Sequence, residues 1–166
     1  MFAGLLGLVV GAWAVALSAG TTTSVSAGGI TAVKVARDSN LVSTASTTFV
    51  NIPGAAITMT VPPKSRALIL ARFSATSECD GVPNNGCEVR VVINNIEAQP
   101  AGINASVFDS GTSADTGDSR EAHMIERSAG PLPAGNYVVK AQMAVPNNEV
   151  SLVLANWNLT VERAKI

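Results

Sequence analysis

Positive charge in excess is the first thing this chain lacks. Eleven Lys and Arg stand against twelve Asp and Glu, and only 14% of its 166 residues are charged, where an ordinary soluble domain carries about 25%. A formal net charge of −1 offers no basic stripe to neutralise a phosphate backbone, which argues against nucleic-acid binding. Aromatic residues make up 4%, with two Trp and one Tyr, so stacking platforms for sugars or bases are scarce. One His and two Cys cannot supply the usual zinc ligand sets. Glycine-rich phosphate loops and internal repeats are also missing. Disorder is argued against in turn, because it requires low hydrophobicity and high net charge, whereas 47% of the residues are hydrophobic. The length is that of one domain.

The amino-terminal region lacks charge altogether, since no Lys or Arg precedes Lys34. Phe2 to Ala19 reads FAGLLGLVVGAWAVALSA, an apolar run at the lower limit for a membrane-spanning helix and ending, like a secretory h-region, in small residues. A signal peptide cleaved after Ala19 or Ala27 is the expectation. It departs from the pattern in having no positive n-region. The alternative is a retained anchor, with membrane contact only through residues 2–19; Lys34 and Arg37 behind it would then favour a cytoplasmic body. Gly7 and Gly11 form a GxxxG pair, a spacing that also packs membrane helices. Residues 20–29, rich in Thr, Ser and Gly, read as a flexible arm, and 30–166 as the domain.

The two cysteines bracket Asp80-Gly-Val-Pro-Asn-Asn-Gly86, a string of turn formers flanked by strand-like runs. A disulfide from Cys79 to Cys87 clamping a hairpin loop is expected, worth roughly 2–3 kcal/mol on the chain-entropy model. Such a bond implies an oxidising compartment and conflicts with a cytoplasmic body. A redox pair would prefer CxxC spacing.

From residue 30 onward the dominant pattern is alternation. Ile57, Met59 and Val61 alternate with Thr58 and Thr60; Cys87, Val89, Val91 and Ile93 with Glu88 and Arg90; Tyr137, Val139, Ala141, Met143 and Val145 with Lys140 and Gln142. Period two gives one buried and one solvated face. Further strands are expected at Ile30–Arg37, Thr47–Ile52, Ala67–Thr76, Ala105–Phe108, Ala122–Arg127 and Val150–Glu162. Turn signals separate them, among them Pro53-Gly54, Pro62-Pro63, Gly130-Pro131, Pro133-Ala-Gly135 and an Asp109–Asp118 loop. No amphipathic helix is visible after residue 20. Some nine strands with turns between them predict an all-β, antiparallel two-sheet sandwich of jelly-roll type. The last strand carries apolar groups on both faces, from Val150 to Val161, which implies burial or a bulge.

The stretch TTFVNIPGAAITMTVPPKSRALILARFSATSEC, then CEVRVVINN, PLPAGNYVVKAQMAV and LANWNLTVERA, covering about residues 47–164, resembles secreted bacterial β-sandwich proteins, many of unassigned function. Its strand rhythm is also similar to jelly rolls of the complement-globular and tumour-necrosis-factor kind, without their aromatic-rich closing strand. The second resemblance implies trimerisation and carries over no functional residues.

Few motifs carry chemistry. Val107-Phe108-Asp109-Ser110-Gly111-Thr112-Ser113 resembles an aspartic-protease loop, and Asp115-Thr116-Gly117 follows it. A working dyad needs its two carboxylates on two lobes or two subunits, and both copies lie in one excursion, so a polar surface loop is expected. Asp109, Asp115, Asp118 and Glu121 are hard oxygen donors that suit calcium, although their spacing matches no EF-hand. A serine triad would have to use His123; with no nucleophile elbow nearby, His123 reads as an ordinary strand residue. Asn104-Ala-Ser106 and Asn158-Leu-Thr160 are glycosylation sequons, the second in a core strand.

These readings assign no catalytic residue and no cofactor. The expected function is a secreted or cell-surface, non-enzymatic structural or assembly protein that self-associates, as a closed oligomer or a filament. The arm Thr21–Val35 could add as a strand to a neighbour's sheet. The alternative is an extracellular module binding a ligand or glycan through Trp157 and Tyr137, and a third reading is a hydrolase using Asp109 or His123.

Overall fold

A computed structural model describes residues 29–81, 86–102, 104–111 and 120–166. The apolar run and the arm up to residue 28 lie outside the described residues, as do Asp115 and Asp118. Ten strands follow in order: β1 (Ile30–Asp38), β2 (Val42–Thr44), β3 (Val50–Val61), β4 (Ala67–Asp80), β5 (Gly86–Ile93), β6 (Ile96–Glu97), β7 (Val107–Ser110), β8 (Glu121–Leu132), β9 (Gly135–Ala144) and β10 (Ser151–Lys165). There is no helix among the described residues.

The strands form two antiparallel sheets packed as a sandwich. The first has the order β1-β10-β4-β8, with β2 also on β10; the second has β3-β9-β5-β6, with β7 also on β5. Strands far apart in sequence are therefore neighbours, and the last strand lies at the centre of the first sheet. Alternation sets which side chains meet between the sheets. Ile69, Ala71, Phe73 and Ala75 of β4 face Ile57 and Met59 of β3, Val89 and Val91 of β5 and Val139 and Ala141 of β9, all buried. The alanines on either side of Phe73 leave room for larger rings. Trp157 stacks on Phe73 with centroids 6.4 Å apart, and Phe108 tilts against it at 5.8 Å.

Several elements differ from the sequence reading, each for a local reason. Pro53-Gly54 does not end a strand. It sits in a bulge inside β3, where the register to β9 shifts between Asn51 and Ala56. Gly54 has φ +75°, a conformation that suits glycine, and a Cβ there would only touch the Trp157 ring, at 3.4 Å. Gly130-Pro131 likewise lies within β8. The expected Ala105–Phe108 strand starts later, at Val107, because Asn104–Ser106 forms a turn, and Asp109 belongs to β7 and not to a loop. Strands β2 and β6, of three and two residues, are too short to show a period.

The double-faced apolar pattern of β10 is a bulge. Register with β4 shifts between Ala155 and Asn158, and Asn156 takes φ +50°. Before it Leu152 and Leu154 point inward, and after it Trp157, Leu159 and Val161 do. Two alternations of opposite phase thus share one strand.

The cysteines are bonded, with Cα atoms 5.8 Å apart. They do not clamp a hairpin, because β4 and β5 belong to different sheets. The bond instead ties the two sheets together at one end of the sandwich. A bonded pair is consistent with an extracellular location. Of the arm Thr21–Val35, the part from Ile30 onward is already paired with β10 of its own chain.

Candidate functional site

Two regions hold the groups that chemistry or recognition could use. The first lies at the disulfide end. β7 brings Asp109, and β8 brings Glu121 and His123, to the edge of β4, where Ala75 pairs with His123 and Ser77 with Glu121. Ser77, 1% exposed, donates its hydroxyl to Asp109 Oδ2 at 2.6 Å. Asp109 Oδ1 accepts the N–H of Ser110 at 2.7 Å. His123 Nε2 lies 3.7 Å from Asp109 Oδ1 and 3.4 Å from Glu121 Oε2, close enough for attraction when the imidazole is charged, yet it makes no hydrogen bond. Its ring tilts against Phe108 at 5.6 Å.

The structure therefore unites Asp109 and His123, both singled out in the sequence, and adds Ser77, which no sequence motif marked. Their order differs from that of a nucleophilic triad. In a triad the hydroxyl faces the imidazole, which accepts its proton. Here Ser77 donates to the carboxylate and is closed off from solvent, so the cluster is built to tether β7 to β4. No group of three or more His, Cys, Asp or Glu is placed to hold a metal among the described residues, and the calcium reading, which needs Asp115 and Asp118, falls outside them. Next to the cluster, Arg120 Nε meets the buried Glu78 at 3.1 Å.

Neither aromatic residue proposed as a sugar platform is presented as one. Trp157 is 1% exposed, and Tyr137 is half-buried against the core, with its hydroxyl donating to Pro133 O at 2.8 Å. Asn104 is exposed in its turn. Asn158 stands half-exposed on the outer side of β10, where it accepts from Thr160 at 3.0 Å.

The second region is the outer face of the first sheet. Reading across it, Val33, Glu162, Leu70 and Ser128 form one row, and Val35, Thr160, Arg72 and Glu126 the next. Val33 and Val35 are 56% and 52% exposed, Ile30 at the start of β1 is 57% exposed and Met124 on β8 60%. β1 is the outermost strand of its sheet among the described residues and β8 closes the opposite edge, so Ile30, Val33 and Val35 form an apolar stripe along one edge and Met124 stands apart at the other. Arg72 binds Glu126 Oε2 through Nη2 at 2.6 Å and Nε at 3.1 Å. That hydrogen bond, reinforced by the carboxylate's charge, holds the Arg72 guanidinium above its usual pKa. The outer face of the second sheet presents Thr58, Thr60, Lys140, Gln142 and Arg90 on β3, β9 and β5, whose polar side chains bond one another, as Arg90 to Gln142 at 2.9 Å and Gln142 to Asn51 at 2.9 Å, with Ile96 on β6 and Val107 on β7 exposed beside them. No protein-family model matches this chain, and no curated protein does.

Proposed function

We propose that this domain is a jelly-roll assembly unit, secreted or held at the cell surface, that is non-enzymatic and associates with copies of itself. The observation that carries this reading is the exposed stripe of Ile30, Val33 and Val35 along β1, a strand with no outer neighbour among the described residues, whereas the exposed apolar residues of the second sheet, Val50, Ile96 and Val107, stand on three different strands. Scattered exposed apolar residues are ordinary, but a contiguous group on a flat sheet marks a contact surface. The jelly-roll type is supported by strand order, with β10 between β1 and β4 and β9 between β3 and β5, as two Greek keys produce. Secretion is supported by the disulfide and by the apolar run that precedes the domain. A non-enzymatic role is supported by Ser77, buried and bonded to a carboxylate instead of an imidazole.

Light scattering on a sizing column tests the association. The chain is expected to run as a defined oligomer, and the double variant Val33→Glu, Val35→Glu as a monomer of unchanged fold, since both positions are exposed and substitutions at such sites shift stability by about 0.5 kcal/mol or less. A wild-type monomer would refute self-association and leave the ligand-binding reading in its place.

A further inference from the structure

The fold collects positive charge that the sequence scatters. Lys64 and Arg66 follow β3 in the turn to β4; Arg163 and Lys165 close β10, where Lys165 pairs with Ala67. Together with Thr31 and Ser65 they line a cleft of about 330 Å³ at the end of the sandwich opposite the disulfide. Among the described residues, no ion pair involves any of these four cations. Glu78, Asp80, Asp109 and Glu121 lie towards the disulfide end, where Arg120 pairs with Glu78, so acid predominates there and base around the cleft.

The cleft is also preorganised. Arg163 is held by neutral oxygens, donating to Thr60 O, to Thr31 Oγ1 at 2.9 Å and to Thr31 O at 3.4 Å. Arg66 donates to Pro131 O at 3.2 Å, which leaves most of its five donors free. The rim between them is stiff: Pro62 and Pro63 fix the turn, Ser65 bonds back to Pro62 O through Oγ at 2.7 Å, and Lys64 adopts φ +59°. Two guanidiniums pinned by uncharged partners keep their charge uncompensated, and planar donor forks suit tetrahedral oxyanions. Two lysines add mobile point charges at the mouth. Four cations with no acid among them favour a dianion over a monoanion.

We propose that this cleft binds a phosphoryl group, either of a small phosphate or of a phospholipid headgroup. Two-dimensional amide NMR of the full chain titrated with inorganic phosphate tests the first source. Sedimentation with phosphatidylcholine vesicles, with and without phosphatidylglycerol, tests the second, with the preference for the anionic vesicles as the readout. The control is the double variant Lys64→Asn, Lys165→Gln: asparagine tolerates the positive φ at position 64, and both side chains are exposed. Saturable shifts at residues 64–66 and 163–165, reproduced by no chloride solution of equal ionic strength and weakened about tenfold in the variant, are expected, the loss of two exposed charge contacts. Binding to anionic vesicles without response to free phosphate upholds the site and assigns it to lipid. Silence towards both phosphate and anionic vesicles, shifts that chloride reproduces, or responses identical in the variant would each overturn it.

Discussion

Breaking the Cys79–Cys87 bond is the sharpest perturbation the fold offers, because it removes a covalent link and little else. Both sulfurs sit in side chains that are nearly or fully buried, so reduction leaves two thiols in their places and opens no large cavity. The cost is then mainly the freedom returned to the unfolded chain. With a sequence separation of 8, the loop-closure relation gives about 2.6 kcal/mol at 25 °C. A domain of this size loses about 3 °C of Tm for each kcal/mol, so Tm should fall by about 8 °C. In urea the midpoint should drop by about 1–2 M. The assay is a pair of urea titrations followed by Trp157 fluorescence, with and without a phosphine reductant, repeated on Cys79→Ala/Cys87→Ala to separate chemistry from packing. A loss under about 1 kcal/mol would show that the unfolded chain is already constrained there. A loss beyond about 5 kcal/mol would show that the bond holds the two sheets in register and is more than a loop closure. Either outcome refutes the entropic account.

Other substitutions test separate parts of the argument. Trp157→Ala should cost about 3–5 kcal/mol by leaving a cavity beside Phe73, whereas Trp157→Phe leaves a smaller cavity and, since the indole Nε1 has no hydrogen-bond partner to lose, should cost about 1–3 kcal/mol; equal costs by chemical denaturation would contradict the packing described. Ser77→Ala removes the bond to Asp109 and should destabilise by about 1.5–3 kcal/mol, while His123→Ala, which loses only the ring contact with Phe108, should cost about 0.5–1.5 kcal/mol; the reverse ranking in thermal melts would mean that the imidazole organises the cluster. Gly81 has φ +131°, and a Cβ there would lie 2.5 Å from Glu149 O and 2.9 Å from Val150 Cα, so Gly81→Ala should cost about 2–3 kcal/mol, and a neutral result would refute the tight approach of β4 to the β9–β10 connection.

What could be read from the sequence was whatever a strand's own periodicity announces. β4, β5, β9 and β10 show their inward faces in the order of their residues, and the doubled apolar pattern of β10 pointed to the bulge that Asn156 makes. Pro53-Gly54 and Gly130-Pro131 misled because the same dipeptides serve turns and bulges, and only the cross-strand partner, absent from a linear pattern, decides which. The disulfide was legible as a pair but not as a link between sheets, since adjacency in sequence says nothing about which sheet the second strand joins. Asp109 and His123 were noticed as residue types. Ser77 was invisible, because a serine between Thr76 and Glu78 carries no local signature and meets Asp109 only after β7 docks. The basic cleft escaped for the same reason: its four cations sit in two groups a hundred residues apart, and overall charge near zero concealed their concentration.

The backbone N–H of Lys165 donates to the carbonyl of Gly29 at 3.2 Å, so the described chain begins and finishes at one end of the sandwich, beside the basic cleft. This adjacency fixes an orientation. Anything attached ahead of Gly29 would hold the domain by its cationic base, and β10, fifteen residues long, would set the reach of what stands above it at about 50 Å. In that arrangement the disulfide-closed tip, with its carboxylates, would be the part furthest from the attachment and the first that an approaching molecule meets.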